Sequence, residues 1–128
     1  MAYQYSVAVR NAKLDQVETT IGVSAVLKVF SGAEPANCAA ADPAGLLCTI
    51  TLPVDWMSAA AAGAKAKLGT WSNTASGTGT AASWRIYDSG GSTCHIQGNT
   101  TDMTFDNTSI STGQTVTVNT FTLTAGNS

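Results

Sequence analysis

The chain has 128 residues, 44% of them hydrophobic, which is enough for one buried core and excludes a compositionally disordered protein. Only 11% of residues are charged, against roughly 25% in an ordinary globular protein, so Thr, Ser, Asn, Gly and Ala must supply most of the surface. A net charge of −2 with six scattered Lys and Arg argues against a nucleic-acid partner, and no run approaches the ~20 apolar residues of a membrane-spanning helix.

The N-terminal MAYQYSVAVRNAK lacks a basic region followed by an apolar one, so a secretory signal is not expected and the chain is expected to fold in a cytoplasm. Residues 1–5 are a candidate arm, with Tyr3 and Tyr5. A helix is expected from Ser6 to Ile21 with Val7, Leu14, Val17 and Ile21 on one stripe. Arg10, Lys13, Asp15 and Glu18 take its other side, and Gly22 stops it in the left-handed conformation.

Beyond Gly22 the period changes to two. Ala25–Ser31 and Leu46–Leu52 are expected strands, separated by a loop at Ala33–Ala44 that holds two prolines. Val54–Gly63 is expected to be mostly loop. Along Ala64–Trp71, Lys65 and Lys67 point one way and Ala66 and Leu68 the other. Asn73–Gly79 is Thr, Ser and Gly with Asn and Ala, a turn or flexible tip. Ala81–Tyr87 alternates, with Trp84 and Ile86 opposite Arg85 and Tyr87. Asp88-Ser89-Gly90-Gly91 is the strongest hairpin turn and leads into Thr93–Gln97, with Cys94 and Ile96 on one face. Asp102–Phe105 and Gln114–Thr124 complete the series, the latter shifting phase near Asn119 or Thr120 as a bulge would. One helix and about seven strands make a mainly β, single-domain antiparallel β-sandwich or jelly roll over residues 1–128, with the helix at 6–22 and the strands within 25–124.

Few residues suggest chemistry. His95 is the single histidine and its neighbour Cys94 points to the opposite face of a strand, so the two do not pair. Cys38, Cys48 and Cys94 fit neither a disulfide framework nor a zinc site and read as small buried hydrophobes, with a Cys38–Cys48 closure as the alternative. The acids Glu34, Asp42, Asp55, Asp88, Asp102 and Asp106 read mostly as turn formers, and a calcium site at Asp102, Asp106 and Asn107 matches no compact loop. No metal, cofactor or catalytic residue is expected. Trp56, Trp71, Trp84 and Tyr87 are the residue types of a sugar-stacking platform. The competing reading puts Trp84 in the core and Trp56 and Trp71 over sheet edges.

The stretches LDQVETTIG, VLKVFSGAEPANCAAAD, LLCTITLPVDWM, KAKLGTWS, ASWRIYDSGGSTCHIQG and GQTVTVNTFTLTAGN together resemble small structural proteins of tailed bacteriophages, namely capsid decoration or cement proteins. The resemblance spans nearly the whole chain. It implies a jelly roll bound to the exterior of an HK97-type shell, with the major capsid protein and dimeric or trimeric self-association as partners. It transfers no catalytic residue, and it implies particles assembled in the host cytoplasm. The residues expected at interfaces are Tyr3, Tyr5, Trp56, Trp71, Tyr87 and His95. Alternatives are a head–tail connector, a tail or head-fibre component, and a carbohydrate-binding module on the virion surface.

Overall fold

The computed structural model describes residues 4–125. Helix α1 (Val7–Ile21) starts at Ser6, whose Oγ accepts the Val9 N–H at 3.2 Å and so satisfies one amide left open at a helix start. Gly22 closes it at φ 93° and ψ −175°, with its N–H on Glu18 O at 2.9 Å. This backbone is extended in ψ rather than left-handed helical, a region essentially reserved for glycine.

Among the described residues ten strands follow: β1 (Val26–Phe30), β2 (Leu46–Thr51), β3 (Ala64–Ala66), β4 (Ser72–Thr74), β5 (Gly79–Thr80), β6 (Ser83–Tyr87), β7 (Cys94–Asn99), β8 (Met103–Phe105), β9 (Ser109–Ile110) and β10 (Thr115–Thr124). The first sheet runs β2-β1-β6-β7, and the second gathers β3, β4 and β8 around β10. Every pairing is antiparallel, and the two sheets enclose one core as a mainly β sandwich with an N-terminal helix. The expected bulge lies in β10 between Val118 and Thr120. It turns Phe121 inward after Val116 and Val118. The stretch expected to be a tip is instead partly strand: it holds β4, and its Ser76 and Gly77 amides bond Leu47 O at 2.8 and 3.1 Å. Such pairing uses the backbone alone, so Thr, Ser and Gly side chains did not announce it.

A line of rings joins the sheets. Trp56 and Trp71 lie 6.0 Å apart between centroids, Trp71 and Phe121 5.8 Å, and Trp84 meets Phe121 edge-on at 5.1 Å. Each indole N–H has a backbone acceptor: Gly22 O at 2.9 Å for Trp56, Leu68 O at 3.1 Å for Trp71 and Asn99 O at 2.8 Å for Trp84. Trp56 and Trp71 are therefore core residues rather than covers for sheet edges, both 0% exposed.

The helix docks by most of the expected apolar stripe and by polar residues beside it. Leu14 and Ile21 are buried and Val17 partly so, but Val7 is exposed. Asp15 and Glu18, expected on the other side, turn together with Asn11 toward residues 57–65. Asn11 Oδ1 accepts the Gly63 amide at 2.9 Å, Asp15 Oδ1 the Ala60 amide at 3.1 Å, and Glu18 Oε2 the Met57 amide at 3.4 Å. Beneath them Lys65, 2% exposed, places Nζ 2.8 Å from Asp15 Oδ1, 2.8 Å from Glu18 Oε1 and 2.7 Å from Ser58 O. The reason is the loop: its amides have no strand partner, so only acceptors can cover them without cost.

Residues Ala61–Ala64 form a tight reversal, with Ala61 and Ala64 exchanging both N–H···O bonds at 2.9 Å. Its central residues Ala62 and Gly63 sit at φ 50° and 76°, the positive values of a two-residue hairpin turn. Alanine is strained there and asparagine is not. Ala62→Asn is expected to raise stability by about 1 kcal/mol, or Tm by about 3 °C in a thermal melt; an unchanged Tm contradicts the assigned strain.

Candidate interaction surface

The outer faces of the two sheets differ. On the first sheet, residues 31–44 fold back as a cover. Arg85 of β6, 2% exposed, donates from Nη1 to Asp42 Oδ1 at 2.9 Å, from Nη2 to Asn37 O at 3.0 Å, and to Gln97 Oε1 from Nε at 3.2 Å. The Tyr87 hydroxyl donates a short bond to the same Asp42 oxygen. Gln97 Nε2 reaches Pro35 O at 2.7 Å, and Ser83 Oγ reaches Gly32 O at 2.7 Å. This is why β6 is buried along its whole length: Trp84 and Ile86 face the core, while Ser83, Arg85 and Tyr87 face the cover.

Asp42 is the keystone of that cover. Burial by itself would raise its carboxyl, but the hydrogen bonds from Tyr87 and Arg85 outweigh burial and hold it below its ordinary value of 3.8. Burial and the adjacent carboxylate push the Tyr87 phenol well above its usual range.

Strand β7 carries a bulge that changes the expected facing. Tyr87 pairs with Cys94 while Ile86 pairs with Ile96, leaving His95 as the extra residue. Cys94 therefore faces the cover beside Arg85 and Tyr87, and Ile96 packs on the core, rather than the two sharing a face. His95 lies apart from Cys94, half-buried in a shallow hollow of about 220 Å³ against Lys13, Gln16, Val17 and Thr20 of α1.

On the second sheet the outer face is open. In β10 the inward residues are Val116, Val118, Phe121 and the partly buried Leu123. The residues alternating with them are Thr115, Thr117 and Asn119 before the bulge, and Thr120, Thr122 and Thr124 after it. All but the half-buried Thr117 are exposed. The register sets Thr74 beside Thr115, Thr104 beside Thr120 and Ala66 beside Thr122, and those neighbours are exposed too. The result is a threonine-lined sheet face of hydroxyls and methyls, with charge only at its margins, where Asp106 bonds the Thr117 amide and Lys67 borders Ala66, Thr120 and Thr122.

Charge is sparse there because most of the cations are engaged elsewhere. All six Lys and Arg have partners within the chain. Besides Lys65 and Arg85, Arg10 Nε donates to Ala125 O at 3.0 Å, Lys28 to Gly91 O at 3.2 Å and Lys67 to Gly69 O at 2.8 Å, while Lys13 lies 4.3 Å over the Tyr5 ring. Several acids are spent similarly: Asp88 Oδ1 accepts the Ser92 amide at 3.3 Å, Asp102 Oδ2 that of Asn99 at 3.1 Å, and Asp106 Oδ1 that of Thr117 at 3.2 Å. Among the described residues no three His, Cys, Asp or Glu side chains converge as metal ligands, and every buried side-chain nitrogen or oxygen has a hydrogen-bond partner.

Of the residues expected at interfaces, Trp56, Trp71 and Tyr87 are buried, so none can meet a partner from the folded state, and with Trp84 also in the core the tryptophan platform does not exist. Their bulk was needed inside and their polar atoms are paired there. Tyr5 and His95 remain half-buried beside α1, and Tyr3 lies outside the described residues. The threonine face was missed as a site, although the alternation in TVTVNTFTLT marks it. No protein-family model, curated protein or solved structure matches the chain.

The Asp42 tether makes a signed prediction. A carboxyl depressed in the folded state stabilises it above 3.8, and that stability is lost as pH falls through the folded value. Asp42→Asn is expected to melt several degrees below the parent at pH 7, with the difference closing as pH drops below 3.8. Melts that stay equally far apart at low pH contradict the role given to this carboxylate.

Proposed function

We propose that the protein is a non-enzymatic capsid decoration, or cement, protein that binds the outside of a tailed-phage shell and bridges neighbouring capsomers. The observation that carries this reading is the open threonine face of the second sheet on a chain whose six cations are all engaged internally. Such a face has little to lose on desolvation. Methyls bury like any apolar surface, and hydroxyls rotate to find donors or acceptors, whereas a buried lysine or glutamate requires a matched partner. Depletion of charge is a property of interface cores.

The sandwich provides a rigid back for this contact, since the first sheet is closed by its cover and the second is tied to it through the ring stack. The likeness of the sequence to phage decoration proteins supports the choice of a capsid as the partner. The mechanism is multivalent: modest contacts to several capsomers, made by one self-associated unit, add through effective concentration. Tight binding by any one subunit is not required.

The test uses particles. Wild-type protein is expected at roughly hundreds of copies on the shell exterior in electron micrographs, and particles lacking it are expected to lose their contents at lower temperature. Thr120→Glu with Thr122→Glu places unpaired charges in the contact. It is expected to lower occupancy at least about tenfold, equivalent to about 1.4 kcal/mol, with a Tm within the narrow range of surface substitutions. A single ring of copies at the neck or tail indicates a connector or tail component instead, and equal heat survival with and without the protein contradicts the cement role.

A further inference from the structure

We propose that Cys38 and Cys94 form an intramolecular disulfide that staples the 31–44 cover to strand β7. Both line one hollow, of about 630 Å³, together with Asp42, Arg85 and Tyr87. Cys94 Sγ lies 3.5 Å from Ile96 O, and after burial it is Cys38 that raises the Cys94 thiol above its ordinary value. Both are half-buried thiols at positions held independently: Cys38 sits beside Asn37, whose carbonyl Arg85 Nη2 binds at 3.0 Å, and Cys94 is fixed by its pairing with Tyr87. The third cysteine takes no part. Cys48 is buried in β2 with Sγ toward the Asn73 and Thr74 carbonyls at 3.8 and 3.7 Å, and the Cys38–Cys48 closure considered from spacing gives way to this pair.

Two features make the pair separately legible. The bulge at His95 is what rotates Cys94 toward the cover; without it Cys94 would share the core face with Ile96. The cover is already tethered to β6 by Arg85 through Asp42 and the Asn37 carbonyl, which holds Cys38 on the same side of the sheet as Cys94.

The chemistry balances with a small-molecule disulfide such as oxidised glutathione. One protein thiolate attacks it, forming a mixed disulfide and releasing one glutathione thiol. The second protein thiolate then displaces the other, so two cysteines are oxidised as one glutathione disulfide is reduced. Burial, then the neighbouring Cys38, raises the Cys94 thiol above its ordinary value, so little thiolate is present at neutral pH and exchange is faster in alkaline solution. The staple does not depend on the capsid reading.

The full chain is incubated with oxidised glutathione at mildly alkaline pH, denatured, alkylated and mapped without reduction. The expected map links the Cys38 and Cys94 peptides and leaves Cys48 alkylated. Because the bond closes a long loop, Tm is expected to rise by about 10 °C and to fall back with dithiothreitol. Cys48→Ser keeps the rise; Cys38→Ser and Cys94→Ser lose it. Three alkylated cysteines, glutathione adducts alone, a bond to Cys48 or a bond between chains would each overturn the proposal.

Discussion

The ring line Trp56–Trp71–Phe121–Trp84 is the interaction on which the rest of the structure depends. It runs from the end of the helix through the second sheet to the first. Offset and edge-on contacts of this kind add to the area they bury, each pair by roughly 1 kcal/mol. The line sets other features in turn. Phe121 can join it only because β10 bulges at Asn119, and the same bulge resets the phase that puts Thr120, Thr122 and Thr124 outside. Trp56 reaches the helix terminus through its indole bond to Gly22, so the helix is positioned by the core even though its own contact face is largely polar.

Around that core, two buried cations fasten the irregular parts. Lys65 holds α1 through Asp15 and Glu18, and Arg85 holds the 31–44 cover through Asp42. For the buried Lys65 and Arg85, hydrogen bonds and carboxylate partners outweigh the burial that would lower their pKa, so both groups stay charged. Placing cations in these joints, in a chain with so few of them, leaves the outer face of the second sheet mainly threonine. The proposed role of the threonine face rests on that commitment of the cations.

Strong period-two patterns were readable in the sequence because side-chain alternation writes them directly: β1, β2, β6 and β10, the Asp88–Gly91 turn and the bulge near Asn119 all carry that signal. The docking side of α1 was readable only in part, through Leu14, Val17 and Ile21. Asp15 and Glu18 look like part of a solvated stripe, and only the amides of Met57 and Ala60, brought near by the tertiary fold as Gly63 is to Asn11, turn them toward the protein. The bulge at His95 was equally hidden, since it depends on the register with β6 rather than on any residue of β7. Aromatic residues misled for a different reason: a tryptophan is suited both to interfaces and to cores, and which one it serves is decided by whether its indole N–H finds a partner inside.

The central claim is that all three tryptophans belong to one closed core and that none serves as a contact platform. Iodide and acrylamide quenching of the native protein, followed through a denaturant titration, tests it most directly. The account predicts blue-shifted emission that iodide leaves untouched until one cooperative transition exposes every indole together. Quenching of any tryptophan by iodide in the native state, or its release ahead of the main transition, would contradict it.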